Sequence, residues 1–227
     1  MPPSPLRVSD LSEQDLSALC EQPVDKLEEA YSRLAAIKQH IVSPKALRAT
    51  LNSSLPAGVS LSLSRQLISL QTYVSQSQKD PVDVIFSLTL GLEKKGWGEE
   101  VMAKWRSISS ILQKFLLLDH ISVVSKALSL SFDFEHILSD ANIFTDIRPV
   151  YTAKRDEIAG AIICNRLRIR YQDEDGSKSL SISIDKDEIE RLQKCCADTL
   201  SKIELATRLM KDSQLEAFIT GDEENDI

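Results

Sequence analysis

The chain has 227 residues, 42% hydrophobic and 27% charged, with a formal net charge of −7. This composition excludes wholesale disorder and provides apolar material for one or two domains. No run of about 18 apolar residues occurs, so no membrane insertion is expected.

Met1-Pro2-Pro3-Ser4-Pro5 lacks the basic start and apolar stretch of a signal peptide, and a cytoplasmic location is expected. Residues 1–9 read as a flexible N-terminus. A short helix follows over Asp10–Leu19 and is broken by Pro23. Asp25 and Glu28 have the spacing of a capping box, and Leu27, Tyr31, Leu34, Ile37 and Ile41 continue at helical spacing. Ser43 is the next candidate N-cap, with Pro44 at the first helical position. Further helices are predicted over Ala46–Leu51, Ser62–Val74, Asp80–Leu92 and Glu99–Leu118, and from His120 to Leu130 after a bend near Asp119. Residues 10–140 thus form a helical domain.

The pattern then changes to period two. Ile143–Tyr151 reads as an extended segment whose Pro149 belongs at an edge or bulge. Ile163, Asn165, Leu167, Ile169 and Tyr171 alternate with Cys164, Arg166, Arg168 and Arg170, which is a strand with one apolar face. Asp175-Gly176 marks a hairpin turn, and Leu180, Ile182 and Ile184 form the returning strand. Asp185 with Glu188 caps a long helix whose apolar stripe runs through Ile189, Leu192, Cys196, Leu200 and Ile203. The fold class is therefore mainly α with a C-terminal α+β module: a helical domain, then a three-stranded antiparallel sheet and a long C-terminal helix over residues 143–211. Residues 212–227 form an acidic tail that holds Asp212, Glu216, Asp222, Glu223, Glu224 and Asp226 and no lysine or arginine. Such a tail disfavours nucleic-acid binding.

Catalytic patterns are missing. His40, His120 and His136 lie in separate segments without metal-ligand spacing, and there is no nucleophile elbow, zinc-protease helix or phosphate-binding loop. Cys20 and Cys164 are isolated, Cys195 and Cys196 are adjacent, and no CxxC occurs; buried, reduced thiols are expected. No enzymatic activity, cofactor or metal is expected. Period two places Arg166, Arg168 and Arg170 on one sheet face. That face is either solvated and balanced by Asp173, Glu174 and Asp175, or a docking face for an acidic partner or for the chain's own tail. Trp97 and Trp105 are either core residues or anchors at a partner surface.

A module of about 70 residues with one apolar sheet face and one helix stripe has a small core and free sheet edges. Pairing of two copies relieves both. The residues predicted to share that interface are Leu167, Ile169, Tyr171, Ile182, Ile184, Leu192 and Ile203.

The stretch Thr145–Tyr151, Leu167-Arg168-Ile169-Arg170-Tyr171, Leu180-Ser181-Ile182-Ser183-Ile184 and the Asp185-capped helix, placed after an all-helical domain, resembles the COMM-domain proteins. The resemblance covers roughly residues 143–210. It implies interlocked modules in which strands and helices of two chains share one core, and no catalysis. The expectation is a non-catalytic interaction subunit, an adaptor or scaffold, forming a homodimer or a hetero-oligomer with related chains. The alternative is a ligand-responsive regulator with a small-molecule pocket in the helical domain.

Overall fold

The computed structural model describes residues 4–220. They fall into two units, residues 4–131 with 214–220, and Phe132–Ser213. The predicted class holds: seven helices, then a three-stranded antiparallel sheet and an eighth helix.

In the first unit, α1 (Asp10–Cys20) begins at Ser9, whose Oγ accepts the Ser12 N–H at 3.1 Å. The next helix, α2 (Val24–Ala35), starts two residues earlier than predicted, after Pro23. No Asp25–Glu28 capping box forms; Asp25 lies inside the first turn, where its charge still suits the helix dipole. Instead of reaching Ile41, α2 stops at Ala35. The Ile37 carbonyl lies 3.2 Å from His120 Nε2, and Ile41 enters the core from irregular backbone. Helix α3 (Pro44–Leu51) starts as its sequence predicts, with Ser43 Oγ accepting the Ala46 N–H at 3.1 Å. The long α4 (Ala57–Ser77) absorbs residues expected in a loop. Next, α5 (Pro81–Lys95) runs from an Asp80 cap to Gly96, whose φ of +89° suits a left-handed terminus. Helices α6 (Glu99–Leu116) and α7 (Asp119–Ser131) are bent by 71° at the expected break. Among the described residues no single helix is long and apolar enough to cross a membrane.

The core of this unit is made of leucine, isoleucine and two large aromatics. Leu16, Leu27, Leu63, Leu67, Leu112, Phe115 and Trp105 are fully buried, each contributing about 1.5–3 kcal/mol relative to exposure. One polar node lies in the seam between α1 and α4. The buried Asp15 carboxylate accepts from Ser62 Oγ at 2.8 Å, Gln66 Nε2 at 3.0 Å and Arg65 Nη1 at 3.3 Å. Satisfying the carboxylate three times offsets its desolvation.

Both ends of this unit are pinned. From Leu6 onward the supposedly flexible start packs on α5: Val8 is buried and the Leu6 N–H donates to the Ser87 carbonyl at 2.9 Å. A Cβ at Gly91 would meet the Leu6 carbonyl oxygen at 2.3 Å, so glycine is required for that approach. After the eighth helix, the Glu216 carboxylate accepts from the Val42 N–H at 2.9 Å and Ser43 Oγ at 2.6 Å. Gln39 Nε2 donates to the Gln214 carbonyl at 3.0 Å. Residues 221–227 of the expected acidic tail lie outside the described residues.

The second unit contains β1 (Ile137–Tyr151), β2 (Ile158–Asp173), β3 (Gly176–Ile184) and α8 (Lys186–Asp212). Strand order is β1-β2-β3. The first strand starts six residues earlier than predicted, and Pro149 sits on it at an edge of the sheet, as a residue without an N–H should. At the β2–β3 turn the left-handed residue is Gly176, with φ +110°, while Glu174 and Asp175 keep negative φ. This is the pattern of a type I turn closed by a glycine bulge. Helix α8 opens with the predicted capping box: Asp185 Oδ1 accepts the Glu188 N–H at 2.8 Å and Glu188 Oε2 accepts the Asp185 N–H at 2.9 Å.

Candidate functional site

Register divides the sheet into two chemically distinct faces. Ile143 pairs with Leu167 and Leu167 with Ile182; Ala141 pairs with Ile169 and Ile169 with Leu180. These residues share one face with Tyr171, Ile163, Ile147 and Ile184, because side chains on one face recur every second residue. Asp140 pairs with Arg170, Asn142 with Arg168 and Phe144 with Arg166, and Ser179, Ser181 and Ser183 lie across from the same arginines on β3. That second face is mostly polar, with Phe144, Val150 and Ile162 as its apolar members.

Among the described residues much of the apolar face is exposed. Of the predicted interface residues, Ile184 alone is buried; Leu167, Ile169 and Tyr171 are half-buried, while Ile182, Leu192 and Ile203 are exposed. The helix stripe expected to face inward has no buried residue anywhere along its 27 positions. Its apolar side chains Leu192, Leu200 and Ile203 are 42%, 63% and 38% exposed. Periodicity predicts an inward-facing stripe, whereas among the described residues these side chains are left exposed. The thiols on this helix follow suit. Cys195 and Cys196 are exposed and Cys164 is half-buried, so of the four cysteines only Cys20 is buried as expected.

The sheet also outruns its own third strand. β3 reaches only the Asn165–Ile184 pair, and beyond it β1 and β2 continue as a two-stranded ribbon. Ile147 and Ile163, facing each other on that ribbon, are 72% and 68% exposed. Two strands alone are marginal in water. Among the described residues, the second unit thus shows a row of large apolar side chains without a core.

On the polar face, Arg166, Arg168 and Arg170 do lie together, but not with the predicted partners. Arg170 Nε donates to Asp140 Oδ2 at 3.0 Å, and Arg166 lies 3.8 Å from Asp146. Asp173 and Asp175 instead bind Lys178, at 2.8 and 2.9 Å. The Lys178 ammonium holds the Asp173 carboxyl below its ordinary range and is itself raised by that pair. The one signal in the sequence for these partners is that Asp140 and Asp146 share the alternating period of one strand face, though on a strand distant in sequence from the arginines.

The two tryptophans separate. Trp105 is fully buried, with its indole N–H donating to Thr89 Oγ1 at 2.9 Å, so it is a core residue and not a partner anchor. Trp97 is half-buried, and its N–H donates to Glu13 Oε1 at 3.0 Å. It borders a surface groove of about 720 Å³ whose acids Asp10 and Glu13 share Lys95, at 2.7 and 2.9 Å. The hydrogen bonds and charge of Lys95 lower both carboxyls below their ordinary range. A second groove, of about 920 Å³, runs between residues 5–10 and α5. Both are open to solvent, unlike the enclosed apolar pocket a small-molecule regulator would use.

Among the described residues no three His, Cys, Asp or Glu side chains converge as metal ligands. His40 and His120 have ring centroids 6.0 Å apart, and His120 Nδ1 accepts the Ile41 N–H at 3.4 Å, a structural contact within the first unit. No family model and no curated protein matches the sequence.

Proposed function

We propose that this protein is a non-catalytic interaction subunit that self-associates through residues 137–212, acting as an adaptor or scaffold. One observation carries the reading: a strand–hairpin–helix unit in which only Ile184 among the predicted interface residues is buried, while the apolar sheet face and the α8 stripe stay in water. Burying such surfaces is the dominant favourable term in association. A second copy supplies what one copy lacks, since its stripe can cover the first copy's sheet and the reverse, as two-fold symmetry requires. The arrangement of the module is in keeping with the COMM-like interlocked dimer that the sequence suggests. Related chains with the same two surfaces would pair by the same physics, giving hetero-oligomers.

Co-expression of two differently tagged copies tests the proposal. Purification through one tag should recover both copies; recovery of the tagged copy alone contradicts self-association.

A further inference from the structure

We propose that the polar face of the sheet is a docking site for an extended acidic peptide of a partner protein. The proposal does not rest on self-association, which uses the opposite face. Four arginines lie here, Arg148 on β1 and Arg166, Arg168 and Arg170 on β2, against two acids, Asp140 and Asp146. Arg170 is held by Asp140 and Arg166 only loosely by Asp146. Arg168 has no carboxylate partner among the described residues.

The central guanidinium nevertheless has an aromatic neighbour. The Phe144 ring lies beneath both Arg168 and Arg166, with centroid distances of 5.2 and 5.9 Å. Cation–π attraction at these distances steadies the guanidinium without using up its N–H donors, which a carboxylate can take. Ser179, Ser181 and Ser183 line the adjacent strand, and their hydroxyls make no side-chain hydrogen bond among the described residues. They offer further donors to the same ligand.

Spacing selects the form of the partner. Alternate residues of β2 repeat roughly every 6.6 Å, and alternate side chains of an extended peptide have the same repeat. Carboxylates at every second position meet successive arginines in register, whereas an unbroken acidic block turns half of its charges away. The charge difference on this face, four cations to two anions, matches such a ligand and repels a basic one.

The test is fluorescence anisotropy with a labelled peptide of alternating glutamate and serine, titrated with the full chain. The control peptide has the same composition with its glutamates in one block. The alternating peptide should bind at least about fivefold tighter than the blocked one. Arg168→Gln should weaken it about tenfold or more without changing the circular dichroism. Asp146→Asn, which frees Arg166, should tighten it, a gain that misfolding cannot produce. Equal binding of the two peptides, an Arg168→Gln chain as tight as wild type, or no gain with Asp146→Asn would overturn the proposal. So would a preference for phosphatidylserine vesicles or single-stranded oligonucleotide over the peptide.

Discussion

Replacing Ile169 by aspartate separates an interface residue from a merely exposed one. Ile169 lies on the central strand between Ala141 and Leu180, half-buried in one chain and on the uncovered face. Fully burying an isoleucine contributes about 1.5–3 kcal/mol. Because Ile169 is already half-buried in one chain, association buries only its remaining exposed part, and a two-fold dimer, which contains the site twice, loses about 1–2 kcal/mol of apolar burial; desolvating the new carboxylate in both copies adds about 2–4 kcal/mol. The dimer dissociation constant should rise by roughly a hundredfold to ten-thousandfold. Sedimentation velocity across a concentration series measures it directly. Ser181→Asp introduces the same charge on β3 but on the opposite face, and should leave the constant nearly unchanged. An Ile169→Asp chain that associates like wild type, or a Ser181→Asp chain weakened equally, refutes the division of the sheet into an association face and a free face.

Three further outcomes follow from the first unit. Asp15→Ala removes the acceptor of Ser62, Gln66 and Arg65 and should cost about 2–4 kcal/mol in urea unfolding, since buried donors lose their partner. Gly91→Ala places a methyl group against the Leu6 carbonyl and should release residues 4–9, seen as new proteolysis near the N-terminus and a loss of about 1–3 kcal/mol. Burial pushes the Cys20 thiol from 9.0 up to about 11, so above pH 9 the unfolded chain gives up a proton that the folded chain keeps. Stability should therefore fall between pH 9 and 11, and Cys20→Ala should remove that part of the slope.

Local rules made much of this fold legible. Ser43 before Pro44, Asp185 with Glu188, and Gly176 in its turn each fix backbone geometry by their own chemistry, and each is found where predicted. Period two placed the arginines and the aliphatic residues on opposite faces, which is a property of any strand. The errors arose where a long-range partner decides. Apolar spacing continues through Ile37 and Ile41, yet His120 claims the Ile37 carbonyl and the helix stops at Ala35. The counter-ions of the arginines come from β1, some 20–30 residues away in sequence, and not from the nearer hairpin acids. The seating of Leu6 against Gly91, and of Glu216 on Ser43, joins distant segments through backbone groups and one carboxylate, which carry no periodicity. For α8, sequence identified which side chains share a stripe. Whether a covering surface belongs to the same chain is not encoded in spacing, and here the stripe is exposed.

Light scattering after gel filtration, on the full chain and across a dilution series, addresses self-association without any substitution. A mass of about twice the 25.3 kDa chain, stable on dilution into the low micromolar range, is the expected result. A mass of one chain at every concentration contradicts a shared core and leaves the apolar face of the sheet to some other partner.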